Sequence, residues 1–218
     1  SLAGVVRRVP SVCPGCERGC TIQVWHRKQE WQLHALDPRQ NASIDRVTPL
    51  ENPAVNGPWI CNKGRDLARL LERPRALQAM LKGVPATLDA ALDAARRLIG
   101  TARRPVALVS SWGSNEELDA FRERLGTLFE CHVKHDHVAV PGERIEDDLL
   151  IRADKNPNGT YARRLFGERP LDFPAGTDLV LAWGEGTDFA ALPRGVPVIL
   201  LNAWLAPENG HADVFLPT

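Results

Sequence analysis

Four of the five cysteines in this 218-residue sequence fall into one pattern. Cys13-Pro14-Gly15-Cys16 is followed by Cys20 and, much later, by Cys61-Asn62-Lys63-Gly64-Arg65, giving C-x2-C-x3-C-x40-C. Three thiols on one tight loop, closed by a fourth from far along the chain, can surround a compact metal centre. Thiolates are soft ligands that favour zinc, Cu(I) or iron–sulfur clusters. A 4Fe–4S cube needs one cysteine per iron, and a three-Cys loop plus one remote Cys supplies four corners. Gly15 and Gly19 would let the backbone fold closely around such a group and aim amides at its sulfurs. Two other readings remain open. A structural zinc usually rests on two C-x2-C knuckles, whereas Cys61 stands alone with no His close by. Two disulfides are geometrically awkward with three thiols in the span 13–20, and nothing else suggests a secreted disulfide scaffold.

Composition narrows the function further. Lys plus Arg and Asp plus Glu number 27 each, so the net charge is zero and no nucleic acid or anionic membrane is expected as a partner. Pairs such as Arg7-Arg8, Arg96-Arg97 and Arg103-Arg104 read as local solvated faces. No run of eighteen apolar residues exists to span a membrane. Arg7-Arg8 lacks the apolar stretch that a twin-arginine export signal requires. Five cysteines without even pairing suit a reducing compartment. Six tryptophans are many for this length, and they are expected in cores and at contacts with partner subunits.

The elements that must position the thiols follow from pattern. Residues 1–12 read as an extended lead-in, and 21–36 as a hairpin whose Ile22, Val24, Trp31 and Leu33 would shield one side of the centre. His26 and His34 are expected at the surface or in packing, since four thiols already satisfy a cube. Residues 37–60, rich in Pro and Asn, read as loop that carries Cys61 back to the first three thiols. Asp66 can cap a short helix that ends before Pro74. The domain boundary is expected near residue 66, giving an iron–sulfur domain over 1–66 and a second domain over 67–218, with a connecting segment to about residue 86.

The second region alternates strand and helix. Thr87 opens a helix with Leu88, Ala91, Leu92, Ala95, Leu98 and Ile99 on one face, and Gly100 is expected to stop it. Residues 104–112 form a buried-type strand. Ser114 and Glu117 form a capping box for a helix with Leu118, Phe121 and Leu125 inward. Strands follow at 128–137, 179–184 and 196–204, with a short one at 212–217. Continuous apolar strands suit a parallel sheet covered on both faces, so a doubly wound, Rossmann-like α/β domain is predicted. Ligand-binding loops would be 110–114 and 184–187, beyond the carboxyl ends of strands. The Gly-x-Gly at 184–186 is only part of a dinucleotide fingerprint, and Glu116, Glu117 and Glu185 oppose an anion there. Cys131 reads as a core thiol within its strand. His132, His135 and His137 alternate nearby, with His135 and His137 on one face as a weak metal candidate.

The residues around the thiols resemble a known family. "VPSVCPGCERGCTIQV" and "ENPAVNGPWICNKGRD", with Asn52, Val55-Asn56-Gly57, Trp59 and Gly64-Arg65 in register, are similar to the iron–sulfur segment of the G-type subunit of bacterial NADH-quinone oxidoreductase (complex I). That segment belongs to the wider molybdopterin oxidoreductase family, which includes formate dehydrogenases. The resemblance implies that Cys13, Cys16, Cys20 and Cys61 ligate one 4Fe–4S cluster. It also implies electron transfer without substrate chemistry of the chain's own, and partners among the other subunits of a redox complex peripheral to the cytoplasmic side of a membrane. Lys63 departs from the acidic residue common in the complex I relatives. It matches the C-x-K-G of molybdenum members, where this lysine lies between cluster and pterin; the alternative is a solvated lysine that offsets the cluster's charge. Molybdopterin guanine dinucleotide is not expected. After Ser114 the chain has no Ser, and Cys131 is its one later Cys, so the Cys or Ser that holds molybdenum in many catalytic members is lacking, although an Asp ligand remains possible. Residues 142–158 resemble a stretch of the complex I relatives where no molybdenum is bound. The family usually continues beyond "HADVFLPT", and the chain starts at Ser1, so a piece of a longer polypeptide is expected. A catalytic molybdopterin enzyme and a zinc-stabilised module without redox activity are the alternatives.

Overall fold

The computed structural model describes residues 6–27, 44–136, 146–169 and 171–218. The chain divides into two units. The first takes residues 1–73 and 139–157, and the second takes 74–138 and 158–218.

The first unit is built on a three-stranded antiparallel sheet of β1 (Val6–Val12), β2 (Thr21–Arg27) and β3 (Ile44–Pro49), with β2 in the middle. The stretch 1–12, read from sequence as a lead-in, thus supplies a strand from Val6, and the presumed loop 37–60 contains another. β1 and β2 pair from Val6↔Arg27 to Val12↔Thr21. The hairpin therefore joins 6–12 to 21–27, and the three-Cys segment is its loop. The expected return strand with Trp31, Leu33 and His34 lies outside the described residues. Trp25 shows why β3 is held despite its neighbouring prolines. Its indole donates to Thr48 Oγ1 at 3.0 Å, and the guanidinium carbons of Arg8 and Arg46 stand 5.3 and 4.2 Å from the ring centroid. Each such cation–π contact is worth about 0.5–1 kcal/mol at an exposed site. On the inner face Ile22 is fully buried with Val47, Ile60, Leu67, Cys13, Cys20 and Leu150. Two short helices follow Cys61: α1 (Asn62–Arg65) and α2 (Leu67–Leu71). Asp66 lies between them, but its side chain makes no capping hydrogen bond.

The second unit is α/β, as its strand–helix alternation predicts. Its seven-stranded sheet runs β5-β4-β10-β9-β8-β6-β7, from β4 (Ala79–Leu81), β5 (Val84–Ala86), β6 (Pro105–Ser110), β7 (Glu130–Lys134), β8 (Leu179–Trp183), β9 (Val198–Asn202) and β10 (Val214–Pro217). β10, β9, β8, β6 and β7 are parallel, and β4 and β5 add an antiparallel edge. The supposed connecting segment to residue 86 thus contributes two strands. Alternate residues of one strand serve two cores, as the pleat requires. Ala107, Val109, Leu179, Leu181 and Ile199 pack with Ala91 and Ala95 of α3 (Leu88–Thr101), Leu118 and Phe121 of α4 (Asn115–Leu125), and Ala162 of α5 (Gly159–Phe166). Val106, Leu108, Val180, Ala182, Leu200 and Phe215 face the other way, against Ala76, Leu192 and Ala212 from irregular segments. Helix starts follow the sequence signals: Thr87 accepts from the Ala90 amide at 3.2 Å, and Ser114 and Glu117 complete a reciprocal capping box. Gly100 does not end α3, which runs through Thr101. Among the described residues no helix is long and apolar enough to cross a membrane.

Candidate metal centre

Three thiols are presented by the loop between β1 and β2. The Cys13 amide donates to the Cys20 carbonyl at 2.9 Å, extending the hairpin one step beyond its last strand pair and holding the loop's two ends together. Gly19 has φ +63°, the left-handed region in which a Cβ is strained. Gly15 serves differently: its φ is not positive, and a Cβ there would stand 3.4 Å from Cys13 Sγ. Its smallness leaves room beside the sulfur.

The fourth thiol arrives by a turn organised around two asparagines. The Asn52 carbonyl accepts from the amides of Val55, Asn56 and Gly57 at 3.1, 3.0 and 2.8 Å. Gly57 adopts φ +52° to let the chain double back. The buried Asn56 side chain accepts from the Thr21 amide at 2.9 Å and donates to the carbonyls of Leu50, Gly57 and Trp59 at 3.3, 3.0 and 3.0 Å. Asn52 Nδ2 donates to Thr21 Oγ1 at 2.9 Å, and Arg18 Nε donates to the Val55 carbonyl at 2.7 Å. The return loop is thereby pinned to the first residue of β2, next to Cys20. Ile60 and Leu67 anchor either side of Cys61 in the core, with Gly64 buried between them.

The result is one cavity of about 190 Å3 whose wall includes Cys13, Cys16, Cys20 and Cys61. All five cysteines of the chain are free thiols, so no disulfide engages these four. Among the described residues no three His, Cys, Asp or Glu side chains converge on a single-ion site. The thiols are instead spread around the cavity wall, with Ile60, Gly64, Leu150 and Ile151 supplying an apolar lining. Burial pushes the Cys13 thiol up to about 11; the Gly15 amide opposes this, and Cys20, Cys61 and Cys16 reinforce it. Burial also raises Cys20, with repulsion from Cys16 and Cys61 added and Arg18 opposing. Burial and repulsion thus favour the protonated form of the Cys13 and Cys20 thiols, and cationic iron or zinc would reverse that preference by taking the place of the protons. The donor set and the apolar wall fit a thiolate-bound iron–sulfur group.

Three further lining residues carry no spacing signal in the sequence. Leu150, Ile151 and Lys155 come from the stretch 146–157, far along the chain from Cys61. That stretch is held as a strap. Asp147 Oδ1 accepts from the amides of Leu149, Leu150 and Ile151 at 3.1, 2.5 and 2.6 Å, and the Glu17 amide donates to the Asp154 carbonyl at 3.1 Å. The Ile151 and Leu150 amides hold the Asp147 carboxyl below the usual carboxylate range. Lys155 is buried and its ammonium donates to the Arg152 carbonyl. Lys63 also lines the cavity but is exposed. The visible hint of the strap in the sequence is the apolar triplet Leu149-Leu150-Ile151 in a polar neighbourhood.

In the second unit β6 is followed by β7 on one side and then by β8 on the other, a switch point of the kind where ligands bind. A cavity of about 540 Å3 lies at the carboxyl ends of β6 and β8, touched by Ser110, Trp112, Gly113, Trp183, Gly184 and Glu185. Its glycines answer to the protein's own side chains. A Cβ at Gly113 would stand 2.6 Å from the Trp183 ring, and one at Gly184 (φ +89°) 2.3 Å from Asp136 Oδ2. Asp136 accepts from Ser110 Oγ at 2.6 Å and from Lys134 Nζ at 2.5 Å. The Glu117 carboxylate occupies the start of α4 by accepting from the Ser114 amide at 2.7 Å. Cys131 is half-buried against the helical core, with burial raising its thiol to about 11. His132 is buried, His135 falls past the end of β7, and His137 lies outside the described residues, so the three do not share one described strand.

No curated protein matches the chain significantly. Residues 6–73, which hold all four cavity thiols, match the family model described as the molybdopterin oxidoreductase Fe4S4 domain. That match supports an iron–sulfur domain of the molybdopterin oxidoreductase type over residues 6–73, and with it an iron–sulfur electron-transfer role for this N-terminal segment.

Proposed function

We propose that the chain is an iron–sulfur electron-transfer subunit, or a fragment of one, of an NADH:quinone oxidoreductase-type complex, and that Cys13, Cys16, Cys20 and Cys61 each bind one iron of a single 4Fe–4S cluster. The observation that carries this reading is that four free thiols, from the hairpin loop and the Asn-pinned return loop, line the wall of one mostly apolar cavity. When bound, the cluster supplies one-electron exchange at iron, with no side chain making or breaking a bond. The chain's own contribution is to position the thiols, to keep water away with Ile60, Leu150 and Ile151, and to place Lys63 at the rim as a positive charge. Partners in this reading are the other subunits of the complex, and the site of action is the cytoplasmic side of a membrane.

The test is iron and acid-labile sulfide analysis with electron paramagnetic resonance of an anaerobically reduced sample. Cys61→Ser should lose or convert the cube, whereas Cys131→Ser, in the other unit, should leave the signal intact. An unchanged signal in Cys61→Ser would refute the ligand assignment. A colourless protein holding one zinc would refute the redox reading altogether. One observation favours a second reading, a catalytic molybdopterin oxidoreductase: the cavity of about 540 Å3 at the carboxyl ends of β6 and β8. Molybdenum analysis of the purified protein separates the two.

A further inference from the structure

Lys155 is a cationic side chain on the wall of the thiol cavity that no ligand spacing marks. It is 7% exposed, and its ammonium is tied to the Arg152 carbonyl within the strap that contributes Leu150 and Ile151 to the same wall. The strap itself is fixed at both ends, by the Asp147 turn and by the Glu17 amide on the Asp154 carbonyl, so the lysine is held in place. Glu17 lies in the three-Cys loop, which couples the strap directly to the segment presenting the sulfurs. Lys63 lines the cavity too, but it is exposed to water. At equal distance, a charge in surroundings of effective dielectric about 20 acts about four times as strongly as one screened at about 80. Arg18 also bears on Cys20, with its Nε engaged by the Val55 carbonyl.

We propose that Lys155 contributes more than Lys63 to the reduction potential at this centre, acting as a positioning charge delivered by the 146–157 strap. This inference rests on the reading of the cavity as an iron–sulfur site. One-electron reduction adds a negative charge inside the cavity, and a buried ammonium on its wall stabilises the reduced form over the oxidised one. Removing that ammonium makes reduction harder. The strap thereby gives a remote stretch of chain control over the ease of electron uptake at thiols it does not itself supply.

The experiment is a redox titration of the full chain, followed by electron paramagnetic resonance, for wild type, Lys155→Met, Lys155→Arg and Lys63→Met, with iron and sulfide measured in each. Lys155→Met should keep its iron and sulfide and show a reduced-to-oxidised ratio about tenfold lower at fixed potential, which is about 59 mV for one electron. Lys155→Arg should stay close to wild type, and Lys63→Met should shift less than Lys155→Met. An unshifted Lys155→Met, or a larger shift in Lys63→Met, overturns the proposal while leaving the cluster reading intact. Should Lys155→Met lose the cluster, retention in Lys155→Arg supports a charge-specific role and loss in both overturns it. Wild-type protein devoid of iron and sulfide is the separate failure, that of the cluster reading itself.

Discussion

Asn56→Ala should loosen the first unit and release Cys61 from the other thiols, without touching a sulfur. The side chain is 4% exposed and makes four hydrogen bonds, one accepted from the Thr21 amide and three donated to the carbonyls of Leu50, Gly57 and Trp59. The two hydrogens of Nδ2 are shared among three carbonyls, so with a net ~0.5–1.5 kcal/mol per typical hydrogen bond the side chain is worth about three bonds, or about 1.5–4.5 kcal/mol. Two considerations lower that figure. The Leu50 bond is long at 3.3 Å, and the partner groups are only part-buried, so water can reach some of them once the amide is gone. About 2–3 kcal/mol is the working value, or roughly 30- to 150-fold in the opening equilibrium, since each 1.4 kcal/mol is tenfold.

Native-state hydrogen exchange on the protein as purified is the suitable assay, because it reads local opening separately in each unit. Protection should fall in segments covering Thr21 and residues 50–61 and stay unchanged in β6, β8 and β9. Asn56→Asp, which keeps an acceptor for the Thr21 amide but turns a buried carboxylate oxygen toward three carbonyls, should lose at least as much protection as Asn56→Ala at neutral pH. A loss of protection below about fivefold around Thr21, or an equal loss in β8, would refute the view that this one amide group pins the return loop.

Two further outcomes follow from the second unit. Asp136→Ala should cost about 3–5 kcal/mol because it strands the buried Lys134 ammonium, whereas Asp136→Ala combined with Lys134→Met should be milder; urea midpoints of the single and double variants decide this. The desolvation that lowers Lys134 and raises Asp136 despite their mutual attraction is the reason to expect that order. Asp178 accepts from the amides of Arg103 and Arg104 at 2.7 and 2.9 Å, which hold its carboxyl below the ordinary range. A depressed folded value means stability that is present above the unfolded value of about 3.9 and lost as pH falls through the folded one. Asp178→Asn should therefore melt below wild type at neutral pH, and the gap should close as the pH is taken below that window.

Local signals in the chain carried a good part of this architecture. Thr87 and the Ser114–Glu117 box open helices where side chain–amide chemistry alone predicts, and the apolar runs around Leu108, Leu181 and Ile199 became buried parallel strands. The four thiols are grouped by spacing and by family likeness, and the likeness also singles out Asn52 and Asn56, whose part in the turn only the structure explains. What escaped was non-local. β3 hides in a Pro- and Asn-rich stretch because its pairing energy comes from β2 and from the arginine–tryptophan stack across three strands. β4 and β5 are too short to show an alternation, and the antiparallel partner that holds β4 is β10, at the far end of the chain. The strap at 146–157 carries no ligand type, and its contact with the thiol cavity depends on a return that no local pattern encodes.

That return bears on how the metal centre and the small unit depend on each other. Among the described residues the core of the first unit joins Ile22, Val47, Ile60 and Leu67 to two of the cavity thiols, Cys13 and Cys20, and to Leu150 from the strap, with Val24, Ile44, Leu70 and Ile151 packed against it. This core shares Cys13, Cys20, Ile60 and Leu150 with the cavity wall, so its packing depends on what fills the cavity, and burial favours the protonated form of the Cys13 and Cys20 thiols until a cation takes the place of their protons. A metal centre bound there would contribute directly to folding of this unit, as it does in small cysteine-ligated domains. The strap closes the same argument from the other side. The matched segment 6–73 contains all four cavity thiols but lacks Leu150, Ile151 and Lys155, so it contains the ligands without the complete cavity. The family-matched segment and the physical unit do not coincide, and the difference between them is the part of the wall that carries a buried charge.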